Sequence, residues 1–132
     1  MTYMLDTNIC IYIIEQIPNV LSAFLTKKAD GATISAITLA ELEFGVYNSD
    51  AQERNLFKLL LFLQLVDILQ FDGSAAVTYG GIRAELRRKG ALIGPLDMLI
   101  AAHAKSKGLI LVTNNVREFS RVEGLAWENW AE

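Results

Sequence analysis

Short apolar segments alternate with longer amphipathic segments along the chain, and this alternation constrains the fold more than any other feature. The apolar segments are short and rich in branched side chains, and they predict strands at 3–5, 32–35, 67–71 and 109–112. The segments between them have apolar residues at helical spacing, and they predict helices at 9–14, 19–29, 37–47, 51–65, 74–89 and 96–107. Strands that alternate with helices form a parallel sheet covered on both faces, and ligands bind beyond the carboxyl ends of its strands.

The length and composition predict one globular domain that spans residues 1–132. Hydrophobic residues make up 52% of the chain and charged residues 20%, which excludes a disordered or fibrous protein. The longest apolar run, 59–66, is interrupted by Gln64 and is far shorter than the roughly 20 residues of a membrane-spanning helix. The N-terminus has no basic segment before its apolar residues, and Cys10 is the only cysteine. We therefore expect no membrane association, no secretory signal, no internal disulfide and a cytoplasmic location.

Basic residues are concentrated in the second half of the chain, although the net charge is −3. Eight of the twelve lysines and arginines lie between Arg83 and Arg121. A cluster at the end of the predicted helix 74–89 contains Arg83, Arg87, Arg88 and Lys89. Such a cluster can bind nucleic-acid phosphates, and it is also common on solvated helix surfaces, so the sequence leaves both interpretations open.

Three carboxylates lie in apolar surroundings. Asp6 directly follows the first predicted strand, Glu41 lies within the predicted helix 37–47, and Asp97 lies in the first turn of the predicted helix 96–107. Burying unpaired carboxylates is costly, and clustered carboxylates also repel one another unless a divalent cation neutralises them. Mg²⁺ prefers such oxygen ligands and keeps waters for chemistry, so the pattern indicates a site that can hydrolyse phosphodiesters.

Each acid also has a simpler explanation. Asp6 could only cap a helix, Asp97 could only complement a helix dipole, and periodicity does not distinguish Glu41 from Glu43 as the buried residue. His103 lies about 240° around the predicted helix from Asp97, so the two should not share a face, and we expect a structural role for His103. A single histidine and a single cysteine disfavour zinc.

Four ordered motifs, which together cover nearly the whole chain, resemble those of VapC toxins, the PIN-domain ribonucleases of bacterial toxin–antitoxin pairs. The motifs are Met4-Leu-Asp-Thr-Asn8, Ile37-Thr-Leu-Ala-Glu-Leu42, Ile93-Gly-Pro-Leu-Asp97, and Leu111-Val-Thr-Asn-Asn115 with Arg117-Glu-Phe119. The chain also closes on Gly124-Leu-Ala-Trp-Glu-Asn-Trp130, as in this family. The resemblance implies a three-layer α/β/α domain with a central, mainly parallel sheet of four or five short strands.

The resemblance also implies roles for individual residues. The catalytic, metal-binding acids would be Asp6, Glu41 and Asp97, and the supporting side chains would be Thr7, Thr113, Asn115 and Glu118. The PIN pattern often has a fourth acid where this chain has Asn115, whose amide oxygen can hold a metal-bound water but supplies no charge. Glu118 could compensate, and the number of bound metal ions stays open.

For function, the resemblance implies a Mg²⁺-dependent endoribonuclease, with Mn²⁺ able to substitute. A cognate VapB antitoxin would hold it inactive, and the most similar family members cut initiator tRNA in the anticodon stem-loop. The basic run 83–89 would then contact RNA phosphates. The predicted helix 51–65 has more apolar residues than one helical face needs, so we expect a homodimer, a groove for the antitoxin and a higher-order complex of the two proteins.

Two other functions use the same residues. A catalytically inactive PIN-like module that binds RNA or protein is favoured by Asn115, whereas retention of all three acids favours an enzyme. A metal-dependent phosphatase or DNA nuclease would use the same acids on another substrate. We expect Trp127 and Trp130 to pack a final strand and assign them no other role.

Overall fold

The computed structural model describes residues 2–132, and its centre is a sheet of five parallel strands. The strands are β1 (Tyr3–Leu5), β2 (Ala32–Ser35), β3 (Asp67–Leu69), β4 (Ile110–Val112) and β5 (Trp127–Glu128). Their order is β3-β2-β1-β4-β5, so the first strand lies in the middle. The predicted parallel sheet is confirmed, and the predicted domain of residues 1–132 includes one residue, Met1, outside the described range.

Seven helices connect and cover these strands. They are α1 (Thr7–Ile14), α2 (Pro18–Lys27), α3 (Ala36–Tyr47), α4 (Gln52–Leu63), α5 (Gly73–Arg88), α6 (Pro95–Ser106) and α7 (Val116–Phe119), with a 3₁₀ turn at Lys28–Asp30. All six predicted helices are present, whereas α7, a single turn, was not predicted. Within the described residues, no single helix is long and apolar enough to cross a membrane, although α1 and residues 18–30 pass that test together as a pair bent by 102°.

Side chains alternate between the two faces of the sheet, because successive residues of a strand point in opposite directions. In β1, Tyr3 and Leu5 belong to the apolar cluster beneath α1, α2, α3 and α4. Met4, between them, belongs to the cluster formed with α5, α6 and α7. The three layers implied by the resemblance are therefore confirmed.

The polar ends of neighbouring strands meet at one edge of the sheet. Leu5 of β1 is in register with Val112 of β4, and the N–H of Asp6 donates to the Val112 carbonyl at 3.0 Å. Asp6 and Thr113, the residues that follow these strands, therefore lie side by side. Ser35 ends the neighbouring β2 and caps α3, so the start of α3 lies at the same edge.

Candidate active site

Asp6 is a buried carboxylate at the centre of this edge, and only 4% of its surface is exposed. Its Oδ1 accepts a hydrogen bond from the N–H of Ile9 at 2.9 Å, so Asp6 does cap α1. Capping does not account for the burial, which raises the pKa of Asp6 to about 6 with a smaller contribution from the charge of Glu41. The charged Asp6 side chain therefore lowers the stability of the folded protein, and its capping hydrogen bond does not offset this loss.

Glu41 is oriented towards Asp6 by a hydroxyl group. Thr7, the first residue of α1, donates from Oγ1 to Oε1 of Glu41 at 2.6 Å. Glu41 is half-buried in the middle of α3. Glu43 lies about 200° further around the same helix, so it points away from this contact. The structure thus identifies the glutamate that faces Asp6, which periodicity alone could not do.

Asp97 lies in the first turn of α6 and forms an acidic pair with Glu118 of α7. The pKa of Asp97 is raised to about 6, mainly by burial and next by Glu118. The charges of Asp6 and Glu41 contribute less to this rise. The structure therefore brings the three acids of the sequence motifs within electrostatic reach of one another. Glu118, which the resemblance implied as a supporting residue, contacts Asp97 from α7, and this contact could not be derived from local sequence.

Thr113 connects Asp6 to the segment that carries Glu118. It is fully buried directly after β4, and its hydroxyl hydrogen-bonds the Asp6 carboxylate, which favours the ionised form of Asp6. The same Oγ1 accepts the N–H of Asn115 at 2.9 Å. Asn115 immediately precedes α7, so this bond fixes where the turn with Glu118 begins.

No cationic side chain neutralises these acids within residues 2–132. The ion pairs among the described residues are Lys27–Glu128, Lys89–Glu85 and Lys107–Asp72, and none of them includes a site acid. Hard oxygen donors and uncompensated negative charge suit a divalent cation such as Mg²⁺. Across the same residues, no three acidic, imidazole or thiol side chains converge as a finished metal site. The fit to a cation therefore rests on the donor chemistry and on the charge.

His103 and the predicted basic cluster lie apart from the acids. His103 is buried in α6 and its Nδ1 lies 2.8 Å from Oγ of Ser35. The basic cluster is exposed at the end of α5, where Arg83, Arg87 and Arg88 border a shallow groove of about 370 Å³. Lys89 forms an ion pair with Glu85 of the preceding turn at 2.9 Å, so it is less available to a ligand than the three arginines.

An apolar groove of about 220 Å³ lies between α1, α3 and α4, with Glu41 on its border. Its apolar walls include Ile11, Ile14, Leu42, Val46 and Leu59. The surplus of apolar residues predicted for α4 is present, because Leu59 and Phe62 are buried whereas Leu56, Phe57, Leu60 and Leu61 are exposed. The sequence predicted a groove for a partner but not which residues line it, since three separate helices form its walls.

Comparison with known proteins places this geometry in a family. The PIN domain family matches residues 3–125. The chain is 46% identical over 129 residues to the tRNA(fMet)-specific endonuclease VapC of Shigella flexneri, with 98% of each chain covered. It is 47% identical over 128 residues to the ribonuclease VapC of Haemophilus influenzae strain 86-028NP, with 97% of each covered.

Solved structures show the same relationship. This chain superposes on a chain of a DNA-bound VapBC complex from Salmonella typhimurium with a TM-score of 0.94 at 45% identity, and 99% of each chain is covered. A VapBC complex from Rickettsia felis, bound to a promoter DNA fragment, gives a TM-score of 0.92 at 44% identity over 98% of this chain and 99% of that one. The chain belongs to the PIN domain family and, within it, to the VapC ribonucleases.

Proposed function

We propose that this protein is the toxin of a toxin–antitoxin pair and acts as a Mg²⁺-dependent endoribonuclease on initiator tRNA, in its anticodon stem-loop. The observation that carries the proposal is the buried Asp6, whose charge faces Glu41 and Asp97 without a cationic partner among the described residues. The substrate is suggested by the relative from Shigella flexneri, which is a tRNA(fMet)-specific endonuclease.

Asp6, Glu41 and Asp97 would hold the Mg²⁺ ion, or Mn²⁺ in its place. When bound, such an ion polarises a phosphoryl oxygen and activates water for hydrolysis. The rest of the chain prepares the ligands. Thr7 holds the Glu41 carboxylate by its 2.6 Å hydrogen bond, and the Thr113 hydroxyl favours the ionised form of Asp6.

Glu118 would serve as the fourth acid that Asn115 cannot provide. Its carboxylate contacts Asp97 and helps to raise the pKa of that side chain. It would therefore add negative charge beside a cation that Asp97 binds. Asn115 would act through its backbone, since its N–H holds Thr113 Oγ1 at 2.9 Å. We therefore assign Glu118 to the acidic site and Asn115 to its support.

The basic cluster would position the RNA. Arg83, Arg87 and Arg88 are exposed along one face of α5, and residues 89–94 lead directly from this helix to the start of α6, which carries Asp97. Guanidinium groups there can contact phosphates on the approach to the acids. Lys89 belongs to the same surface, but its ion pair with Glu85 predicts a smaller contribution.

The apolar groove beside Glu41 would receive the cognate VapB antitoxin. An apolar segment bound there would lie directly against the acidic site and block it. The relatives from Salmonella typhimurium and Rickettsia felis were solved as VapBC complexes with DNA. We also propose a homodimer, a higher-order complex with the antitoxin, and action in the cytoplasm, where tRNA is used.

The decisive experiment compares cleavage of initiator tRNA and an elongator tRNA by the purified, antitoxin-free protein, with Mg²⁺ and with EDTA. Asp6→Asn is the test variant, and Asp72→Asn is the matched control, because Asp72 caps α5 as Asp6 caps α1 but is exposed. We expect selective, Mg²⁺-dependent cutting that Asp72→Asn keeps and Asp6→Asn loses. Folded protein that binds the tRNA without cutting it would instead favour the inactive binding module.

A further inference from the structure

A buried hydrogen bond joins the helix that carries Asp97 to the helix that carries Glu41. His103 of α6 is fully buried, and its Nδ1 lies 2.8 Å from Oγ of Ser35. Ser35 is also fully buried, and the same Oγ accepts the N–H of Ile37 at 3.1 Å, which caps α3. One hydroxyl group therefore ties α6 to the first turn of α3.

This bond is displaced from the acids by the same number of residues along each helix. Glu41 follows Ser35 by six residues, and Asp97 precedes His103 by six residues. Each separation corresponds to about 9 Å along a helix axis. Ser35 contacts His103, and the charge of Glu41 raises the pKa of Asp97. The two helices therefore run in opposite directions between the hydrogen bond and the acids.

His103 does not reach the acids itself. Asp97 and His103 point about 120° apart on α6, so any influence passes through the helix backbone. Burial lowers the pKa of the His103 imidazole, which keeps the ring neutral near pH 7. Phe71 packs against the ring edge-on at a centroid distance of 5.4 Å. The ring is therefore held in one orientation by packing and by its bond to Ser35.

We propose that His103 is a positioning residue for the metal site, which through Ser35 sets the separation between α3 and α6 and therefore between Glu41 and Asp97. The inference rests on the proposed function, in which these two acids share a divalent cation. Oxygen ligands in adjacent positions around Mg²⁺ lie only about 3 Å apart, because the ion requires near-octahedral geometry with short bonds. A small displacement of one helix along the other therefore disrupts the ligand pair.

The test measures binding of Mn²⁺ alone, by isothermal titration calorimetry without RNA. His103→Leu fills the buried site with an apolar side chain and removes the hydrogen bond, whereas His103→Asn keeps a polar atom near the position of Nδ1. We expect the leucine variant to bind Mn²⁺ about tenfold more weakly, as for other residues that orient metal ligands, and the asparagine variant to recover most of the affinity. Ser35→Ala removes the same bond together with the cap of α3, so its Mn²⁺ affinity should fall at least as far as that of the leucine variant.

Val20→Ala controls for general destabilisation, because Val20 is fully buried in α2, within the other apolar cluster. This variant should lose stability and keep its Mn²⁺ affinity. Equal affinity in the wild type and His103→Leu would overturn the inference alone, as would an equal loss in His103→Leu and Val20→Ala. A wild-type protein that binds no Mn²⁺ would overturn the proposed metal site and this inference together.

Discussion

Replacing Asp6 with asparagine is expected to stabilise the metal-free protein while it removes the proposed activity. Burial raises the pKa of Asp6 from 3.8 to about 6, which means that the folded protein disfavours the charged side chain. Asparagine is nearly the same size, carries no charge, and keeps an oxygen that can accept the N–H of Ile9 as the α1 cap. The variant therefore relieves the electrostatic cost without losing the cap.

The magnitude follows from the difference in pKa between the folded and unfolded states. A pKa that rises by about two units corresponds to about 3 kcal/mol at 1.36 kcal/mol per unit. The pKa of about 6 already includes the opposing effect of the Thr113 hydroxyl, so we expect the whole gain of about 3 kcal/mol at pH 7. For a domain of this size, that raises the melting temperature by roughly 12 °C.

The pH dependence has a definite sign. Between the unfolded pKa of 3.8 and the folded pKa of about 6, the folded state binds more protons than the unfolded state. The free energy of unfolding of the metal-free wild type therefore rises as the pH falls from 7 towards 5. The Asp6→Asn variant lacks this titration, so its stability should change less over the same range.

Urea denaturation in EDTA at pH 7 and pH 5 measures both effects. Asp72→Asn is again the control, because Lys107 lowers the pKa of the exposed Asp72 and its loss of charge should therefore destabilise the protein. If Asp6→Asn were less stable than the wild type at pH 7, the account of Asp6 as an uncompensated buried charge would be wrong. Added Mg²⁺ should reverse the order, because it stabilises only the protein that binds it.

Three further predictions concern the acids and the RNA surface. Thr7→Val should reduce the rate of cleavage by about tenfold, because it removes the hydrogen bond that holds Glu41, whereas Thr7→Ser should retain activity. Single-turnover rates at saturating Mg²⁺ test this, and equal rates for the two variants would refute it. Mn²⁺ affinity should fall as the pH drops below 6, since Asp6 and Asp97 then take up protons. A flat titration from pH 7.5 to about 5.5 would contradict this. Arg87→Ala with Arg88→Ala should weaken RNA binding and reduce the slope of log affinity against log salt by about 1.5, whereas an unchanged slope would exclude these side chains from phosphate contact.

The strands and helices could be predicted from local patterns because most of them are long or strongly apolar. The two departures occur at the edges of the fold. The predicted strand 67–71 ends at Leu69, since β3 is an edge strand with two exposed residues and little burial to extend it. The single turn α7 has too few residues to show helical periodicity, and its position depends on the bond between Asn115 and Thr113.

The acids and their grouping were predicted from the sequence motifs, but the contacts that orient them were not. The burial of Asp6 follows from an apolar strand that ends at a carboxylate, a signal that sequence contains. The choice of Glu41 over Glu43 depends on Thr7, which lies on another helix. The pairing of Asp97 with Glu118 likewise joins distant segments, so no local pattern could reveal it.

The position of β1 in the middle of the sheet affects when the protein can become active during its synthesis. Asp6 leaves the ribosome before the other acids of the site, whereas the strand beside it, β4, and the hydroxyl of Thr113 are made much later. Glu118 emerges later still. A nascent chain therefore cannot assemble the acidic site until β4 and α7 have been made, so the order of synthesis delays the proposed activity.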